Sequence, residues 1–488
     1  MEHLDVIVVG AGISGISAAW HLQNLCPSKS YAILEKRDQL GGTWDLFRYP
    51  GVRADTDMYT LGFRFRPWTG PAIAKGGPIL DYLRGTAAQA GIDAHVRLNH
   101  KAIKADWRSA ENRWIVRVER GGEESRIASC VTLSCSFLVL CSGYYYYEEG
   151  YSPRFAGSEA FRGPIIHPQF WPATVDYAGK QVVVIGSGST AVTLVPALAD
   201  SGAGHVTMLQ RSPTYVMAEP DRDILAERLN RWLPPTVAYA VVRWKNIVRK
   251  AAFYWACRRW PHRMRARLIG QARRQLPDGY DVDKHFVPQY NPWDQRLCVA
   301  PNGDLFRTIR QGRTEVVTDT IRRFTATGIL LESGRELAAD IIVTATGLNL
   351  QLFGGTSVSV DGRPVDLSRT MVYKGSMLTG VPNMVFIFGY TNASWTLKAD
   401  LVSEFACRLL KHMDANGLDR VTAEHPGADV DERPFIEDFS PGYVLRVLDW
   451  MPKQGSRSPW RVNHSYLRDL GVIRRGRVAG EGLRFAAN

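Results

Sequence analysis

Two stretches of this chain combine glycines with a polar residue at a spacing suited to gripping a nucleotide. The first is Gly10-Ala11-Gly12-Ile13-Ser14-Gly15, followed twenty residues after Gly15 by Glu35. It comes straight after an apolar, β-branched run at residues 5–10 (DVIVVG) and opens a helical segment over about residues 13–25. A second strand at residues 31–35 (YAILE) ends on the acid. In such a βαβ unit the glycines allow a tight turn, close approach of a pyrophosphate, and close helix–strand packing. The helix start offers free N–H groups and a positive dipole end to the phosphates. Glu35 can accept hydrogen bonds from ribose hydroxyls, which favours a 2′-OH nucleotide. Gly10, Gly12, Ser14, Gly15 and Glu35 are therefore candidate contacts.

The second stretch is Gly186-Ser187-Gly188-Ser189-Thr190-Ala191. It lies between a strand at residues 181–185 (QVVVI) and a helix reaching about residue 199, which Pro196 is expected to distort or shorten. The next strand, residues 205–209, ends at Gln210 and Arg211. Two differences from the first unit carry information. Ala191 stands where the first unit has Gly15, and Arg211 follows the strand where the first unit has Glu35. A guanidinium can grip a 2′-phosphate through paired, charge-assisted hydrogen bonds, and Ser212 adds a hydroxyl donor. This unit is assigned to NADPH, with Gly186, Ser187, Gly188, Ser189, Thr190, Ala191, Arg211 and Ser212 as candidate contacts. A lone glycine motif is weak; two in full strand–loop–helix context, with opposite residue types at the ribose end, are specific.

Between the units lies Phe161-Arg162-Gly163-Pro164-Ile165-Ile166-His167-Pro168-Gln169-Phe170-Trp171-Pro172. This fits FxGxxxHxxxW followed by Pro, and it resembles the fingerprint of the Baeyer–Villiger monooxygenases and their class B flavoprotein relatives. Arg48-Tyr49-Pro50-Gly51 with Arg53 and Asp55 resembles another segment of that family. The loop Gly41-Gly42-Thr43-Trp44 and the later Ala345-Thr346-Gly347 are similar to its FAD-proximal signatures. Residues 292–298 (PWDQRLC) and 390–400 (YTNASWTLKAD) resemble the ethionamide-activating branch.

The resemblance spans essentially the whole chain and implies much that spacing alone does not. The fold class would be α/β, with two Rossmann-like dinucleotide-binding domains, one for FAD and one for NADPH, and a helical insertion. Residues 1–150 would begin the FAD domain and 151–214 the NADPH domain. Residues 215–290 would form the insertion, 291–335 would complete the NADPH domain, and 336–488 would complete the FAD domain and add a C-terminal segment. Gly42, Thr43, Trp44, Asp45, Leu46, Arg53, Asp55 and Ala102 would join the FAD contacts. The implied activity is oxidation of ketones to esters or lactones with O2 through a C4a-peroxyflavin, together with S-oxygenation of sulfides and thioamide prodrugs. Arg296 matches the active-site Arg of the family, and Asp55 would pair with it and orient it. Gln295 departs from the pattern, because many members carry there a Lys that helps hold the NADPH phosphate; the departure leaves more of that task to Arg211. His167 belongs in this family to the linker between nucleotide domains, so a conformational role is expected rather than acid–base catalysis.

The implied substrate is a small hydrophobic ketone or sulfur compound. An N- or S-oxygenase that forms no ester would share both glycine motifs. An NADPH:acceptor reductase would carry a redox cysteine pair, and Cys130 and Cys135 are the one close pair to weigh. A binding or membrane-scaffold protein has no need of two intact nucleotide motifs.

Bulk properties bound the rest. The chain has 488 residues, 45% hydrophobic and 22% charged, a globular balance with room for two or three domains. Seven cysteines without a CxxC pair argue against a disulfide framework or a structural zinc, and for a reducing, cytoplasmic setting. No His, Cys and carboxylate cluster has metal-ligand spacing, so no metal is expected. The N-terminus does not read as a signal peptide. The uncharged stretch at residues 127–147 reads as strand entering a turn, because Ser, Thr and Tyr interrupt it. The net charge is +12, yet thirteen Lys and Arg and no Asp or Glu lie between Arg228 and Pro277, leaving the rest of the chain near −1.

Within that basic segment Val237, Val241, Trp244, Val248, Ala251 and Trp255 form one helical stripe. It is expected either to pack on the NADPH domain and wall the pocket, or to sit on an anionic membrane at the inner face of the cell. Nucleic acid is not an expected partner, since no recognised binding module accompanies the charge.

Overall fold

The computed structural model describes residues 1–121 and 129–487. Each glycine unit seeds its own sheet. The first apolar run becomes β1, Glu2–Val9, with Val6, Ile7 and Val8 fully buried; an unbroken β-branched run suits a strand covered on both faces. Helix α1, Ile13–Leu25, leads to β2, Tyr31–Leu34. β1 lies parallel between β2 and the strand Ser129–Leu140. Beyond that strand the sheet turns antiparallel through Arg113–Arg120 and His100–Arg108, and Ser357–Val360 joins the latter. The uncharged stretch is thus the strand Ser129–Leu140, a turn, and the start of the strand Tyr145–Gly150; residues 127 and 128 lie outside the described residues. Among the described residues no helix is long and apolar enough to cross a membrane.

The second unit gives β3, Gln181–Ile185, then α2, Ser189–Asp200, then β4, His205–Gln210. Pro196 does not shorten α2, which runs on to Asp200. A helix-interior proline costs roughly 3 kcal/mol. Leu194, Val195 and Leu198 are fully buried in this unit's core, at about 1.5–3 kcal/mol each, so packing wins. The sheet order is Thr314–Thr318, β4, β3, β5 (Ile341–Thr344) and Ile165–Ile166, all parallel. β5 corrects one boundary. The sequence reading places residues from 336 onward with the first unit, but β5 pairs with β3. A four-residue β-branched run, Ile-Ile-Val-Thr, reads alike in either sheet, so pattern alone could not choose. The connections between the sheets pair with each other, Tyr145–Gly150 antiparallel to Leu348–Leu350.

Three helices fill the basic segment: Ile224–Trp232, α3 (Pro235–Arg259) and α4 (Pro261–Gln275). Asp223 caps the first by accepting from the N–H groups of Leu225 and Ala226. Pro235 and Pro261 begin the next two, where a missing N–H costs nothing. The apolar stripe does not pack inward as one expectation had it. Val237, Val241, Trp244, Val248 and Trp255 are exposed, Trp255 by 57%, while Ala238, Val242, Arg243, Asn246 and Ile247 are buried. The inward face has polar work. Arg243 Nη1 donates to the carbonyls of Tyr59 and Gly62 at 2.8 and 2.7 Å, closing the end of the short helix Met58–Leu61, whose last carbonyls lack helical partners.

The strand Val216–Glu219 pairs with Cys298–Pro301, so the insertion leaves and re-enters at one place and sets down the loop that carries Arg296. Helix α5, Trp395–Asn416, packs along α1. Its first residue reaches the glycine loop, where Trp395 Nε1 donates to Ser14 Oγ at 2.7 Å.

Candidate active site

Both glycine loops open into one cavity of about 890 Å³. That is near the upper end of the roughly 300–1,000 Å³ usual for small-molecule sites. Gly10, Gly12, Ser14 and Glu35 line it from the first unit, with Gly42, Thr43, Trp44, Arg53, Asp55 and Ala102. Glu35 is buried. Its Oε2 accepts from the Ala11 N–H at 2.8 Å and its Oε1 from the Arg37 N–H at 3.0 Å. Burial pushes its carboxyl above the usual carboxylate range, against these two bonds. Gly12 and Gly42 face each other so closely that a Cβ on Gly42 would lie 3.1 Å from Gly12 Cα.

Three expected first-site contacts stand behind the wall. Gly15 does not line the cavity; a Cβ there would lie 1.9 Å from Gly10 O, so its role is packing. Asp45 is fully buried and pairs with Arg37 at 2.6 Å and Arg48 at 3.1 Å, tying down the loop after Gly42. Leu46 is buried beside it.

The second unit contributes Gly186, Ser187, Gly188, Ser189, Thr190, Arg211 and Ser212 to the same cavity. Gly186 has φ +138, and a Cβ there would lie 2.3 Å from Ala345 O; a Cβ on Gly188 would meet open space. Ala191 is buried in the core behind them. Arg211 is exposed and makes no ion pair among the described residues. The glycines give a prediction. Gly15→Ala should lower stability by about 1–3 kcal/mol through overpacking, read as a lower denaturation midpoint. Gly188→Ala should leave that midpoint in place and weaken nucleotide binding.

Arg296 and Asp55 meet on the cavity wall, Nε to Oδ2 3.5 Å. Burial opposes the guanidinium charge, but the Asp55 carboxylate beside it favours that charge, and the pKa of Arg296 is raised. The loop before it is strained, since Trp293 holds φ +74, a region that bulky side chains avoid. Arg53 turns to Asp304, Nη1 to Oδ2 2.5 Å.

Each fixed residue of the linker motif except the closing proline has a packing partner. Phe161 lies in the core behind β3. A Cβ on Gly163 would lie 2.2 Å from Asp340 O. His167 Nε2 donates to Gly347 O at 3.0 Å and Nδ1 accepts from the Gln169 N–H at 3.2 Å. Trp171 meets Tyr177 edge to face. His167 does not line the cavity, and burial lowers its pKa.

Ala393, Ser394 and Trp395 line the cavity, while Asn392 turns away and donates to His464 O. None of the three insertion helices lines it; that region reaches the wall only through Tyr290. Cys130 and Cys135 point to opposite faces of one strand, exposed and buried, and stand roughly 16 Å apart by strand rise, so they form no redox pair. Sequence reasoning missed Tyr144, Tyr145, Tyr443 and Cys298 at this wall. Only the run Tyr144-Tyr145-Tyr146-Tyr147 gave a signal, as an aromatic cluster too polar for a span.

Residues 8–68 match a NAD(P)-binding Rossmann-like domain, and residues 71–372 match the flavin-binding monooxygenase-like family. The chain belongs to the flavin-binding monooxygenases. This monooxygenase is 69% identical over 486 residues to the FAD-containing monooxygenase EthA of Mycobacterium tuberculosis, covering 99% of this chain and 98% of that one. Its fold is shared with oxidized steroid monooxygenase bound to NADP (TM-score 0.77, 22% identity, 100% of both chains). It is shared equally with cyclohexanone-bound cyclohexanone monooxygenase in the rotated conformation (TM-score 0.77, 19% identity, 100% of both chains).

Proposed function

We propose that this flavin-binding monooxygenase uses FAD, NADPH and O2 to convert small hydrophobic ketones into esters or lactones, and that it also oxygenates sulfur in sulfides and thioamide prodrugs. The observation that carries the reading is the Arg296–Asp55 pair on the wall of one cavity into which both glycine loops open. The relatives support it: one is FAD-containing, one was solved with NADP, and one holds cyclohexanone.

The residues fit both groups. Glu35 and the start of α1 would hold the ribose and phosphates of FAD. The Gly188 loop, Arg211 and Ser212 would hold NADPH. When bound, FAD supplies oxygen activation and NADPH the reducing equivalents. The chain's own residues orient the reactants and set the electrostatics. Arg296 presents a fixed cation where negative charge develops on the substrate's carbonyl oxygen. Asp55 orients that cation, and the tyrosines around it limit water. His167 acts by holding the linker, not by moving a proton.

Product analysis tests the reading. Aliphatic ketones of graded chain length and one aryl methyl sulfide are incubated with enzyme, NADPH and O2. Esters from the ketones are the expected result. Sulfoxide alone would instead favour an N- or S-oxygenase.

We also propose that α3 seats the protein on an anionic lipid surface at the inner face of the cell membrane. Its exposed Val and Trp stripe supports this, together with the exposed cations Arg259, Arg263, Arg267 and Arg274 that follow in a segment without acids, since each basic residue near such a surface contributes about 1 kcal/mol. Vesicles containing phosphatidylglycerol should retain the protein at low salt and release it at high salt. Trp244→Ser with Trp255→Ser should weaken retention severalfold. No retention at low salt removes the proposal.

A further inference from the structure

The inward face of α3 meets the two loops that carry Asp55 and Arg296, at residues two positions away from each. Arg243, Asn246, Lys250, Tyr254 and Arg258 recur at steps of three and four, and so share one side of the helix. Lys250 Nζ lies 2.6 Å from Oδ2 of Asp57, two residues beyond Asp55. Arg258 Nη1 lies 2.7 Å from Oδ1 of Asp294, two residues before Arg296. Tyr254, between them, meets Trp293 edge to face at 5.5 Å.

The Lys250 contact is made to a buried acid, whereas the Arg258 pair is one-third exposed and is held through the loop bonds of Asp294. The Asp57 side chain is 7% exposed, accepts from the Thr60 N–H at 2.9 Å, and takes a further bond from Asn246 Nδ2 at 3.2 Å. Thr60 Oγ1 donates to Asp57 Oδ2 at 2.8 Å and so accepts from Ser394 Oγ at 2.6 Å. Ser394 lines the cavity. The chain Ser394–Thr60–Asp57–Lys250 therefore runs from the cavity wall to the helix. On the other side Asp294 closes its own loop by accepting from the Asn291 N–H at 3.0 Å, and its carbonyl takes the Ser440 N–H at 2.8 Å. The loop so held is the one strained at Trp293, a conformation that persists only when its surroundings over-determine it.

We infer that α3 is a splint for the oxygenation site, and that Lys250 and Arg258 are positioning residues that set the separation of Asp55 and Arg296. The inference rests on the proposed use of that pair. Neither residue touches the cavity. Each acts through an acid two residues from a member of the pair, one in the first unit's loop and one in the loop following the insertion. A misplacement of about 1 Å at a reacting centre can cost on the order of 100-fold, and a relaxed splint should cost a part of that.

The test uses full-length, FAD-loaded enzyme carrying Lys250→Met, Arg258→Met, both together, and the conservative Lys250→Arg and Arg258→Lys. Three quantities are read: anaerobic flavin reduction by NADPH, ester formed per NADPH consumed, and the split of KM against kcat for ketone. Reduction is expected to stay within about twofold, while ester per NADPH falls on the order of tenfold in the double variant. The loss should sit in kcat, and the conservative variants should restore most of it. Because Lys250→Met leaves a buried carboxylate alone, Lys250→Met with Asp57→Asn removes both charges and keeps the measurement possible if the single variant does not fold.

Wild-type ester yield in the double variant overturns the inference, as does equal loss of reduction and ester, which marks plain destabilisation. Arg296→Ala is run beside them. If it keeps normal ester yield, the reading of the pair falls and the splint with it. If it loses ester while the splint variants do not, the splint alone falls.

Discussion

Arg296→Ala should still bind FAD and be bleached by NADPH, yet form ester about 100- to 1,000-fold more slowly. That range is typical for removing one preorganised electrostatic donor from a site where charge develops. Two features make a large effect the expectation. The guanidinium is the cation facing Asp55 on the cavity wall, and that acid favours its charged form. Removing it also leaves Asp55 as an unpaired negative charge beside the reacting centre, which opposes further negative charge. Arg296→Lys should fall between, since it keeps a charge and loses the planar fork. Stopped-flow bleaching under nitrogen, followed by product quantification in air, separates the two half-reactions. Ester at the wild-type rate in Arg296→Ala would end the assignment.

Arg211→Ala should raise KM for NADPH by about 10- to 100-fold and leave KM for NADH within about twofold. The basis is the net contribution of a hydrogen bond to a charged group, about 1.5–3 kcal/mol, and only the 2′-phosphate distinguishes the two nucleotides. Because Arg211 is exposed and makes no ion pair among the described residues, its removal breaks no ion pair, and stability should change little. Gln295, also on the cavity wall, is neutral and offers no second charge to compensate. Steady-state titration with both nucleotides decides it; equal effects on the two would overturn the assignment.

Much of this was legible in the residues because local rules and the fold agree. An unbroken β-branched run, a glycine turn and a helix specify a βαβ unit without help from the rest of the chain, and both units formed where expected. Glu35 and Arg211 were legible for the same reason, since each follows its strand at a set distance. What sequence could not show depends on contacts between distant segments. Gly15, Asp45, Leu46 and Ala191 belong to the motifs yet stand behind the wall, and only three-dimensional packing separates a motif's lining residues from its scaffolding ones. Tyr443 reaches Arg296 from about 150 residues further along the chain. The orientation of α3 was the largest surprise. Periodicity identified its stripe but could not say which side faces the protein, because the inward side is anchored by Arg243, Lys250 and Arg258, residues that composition assigns to solvent.

His167 ties the linker to the second connection through one ring, donating a hydrogen bond to Gly347 O and accepting one from the Gln169 N–H, while the Gln169 side chain donates to the carbonyls of Tyr146 and Tyr147 in the first. That division of labour requires the neutral imidazole. Burial lowers its pKa below the ordinary value, so the folded protein favours the neutral form. The stability this ring contributes is present above the unfolded value near 6.5 and is lost only as pH falls through the lower folded value. Around neutrality this ring therefore stays neutral and keeps both hydrogen bonds. A pH profile of turnover measured on the alkaline side of that range reports on the chemistry in the cavity, undistorted by the titration of His167.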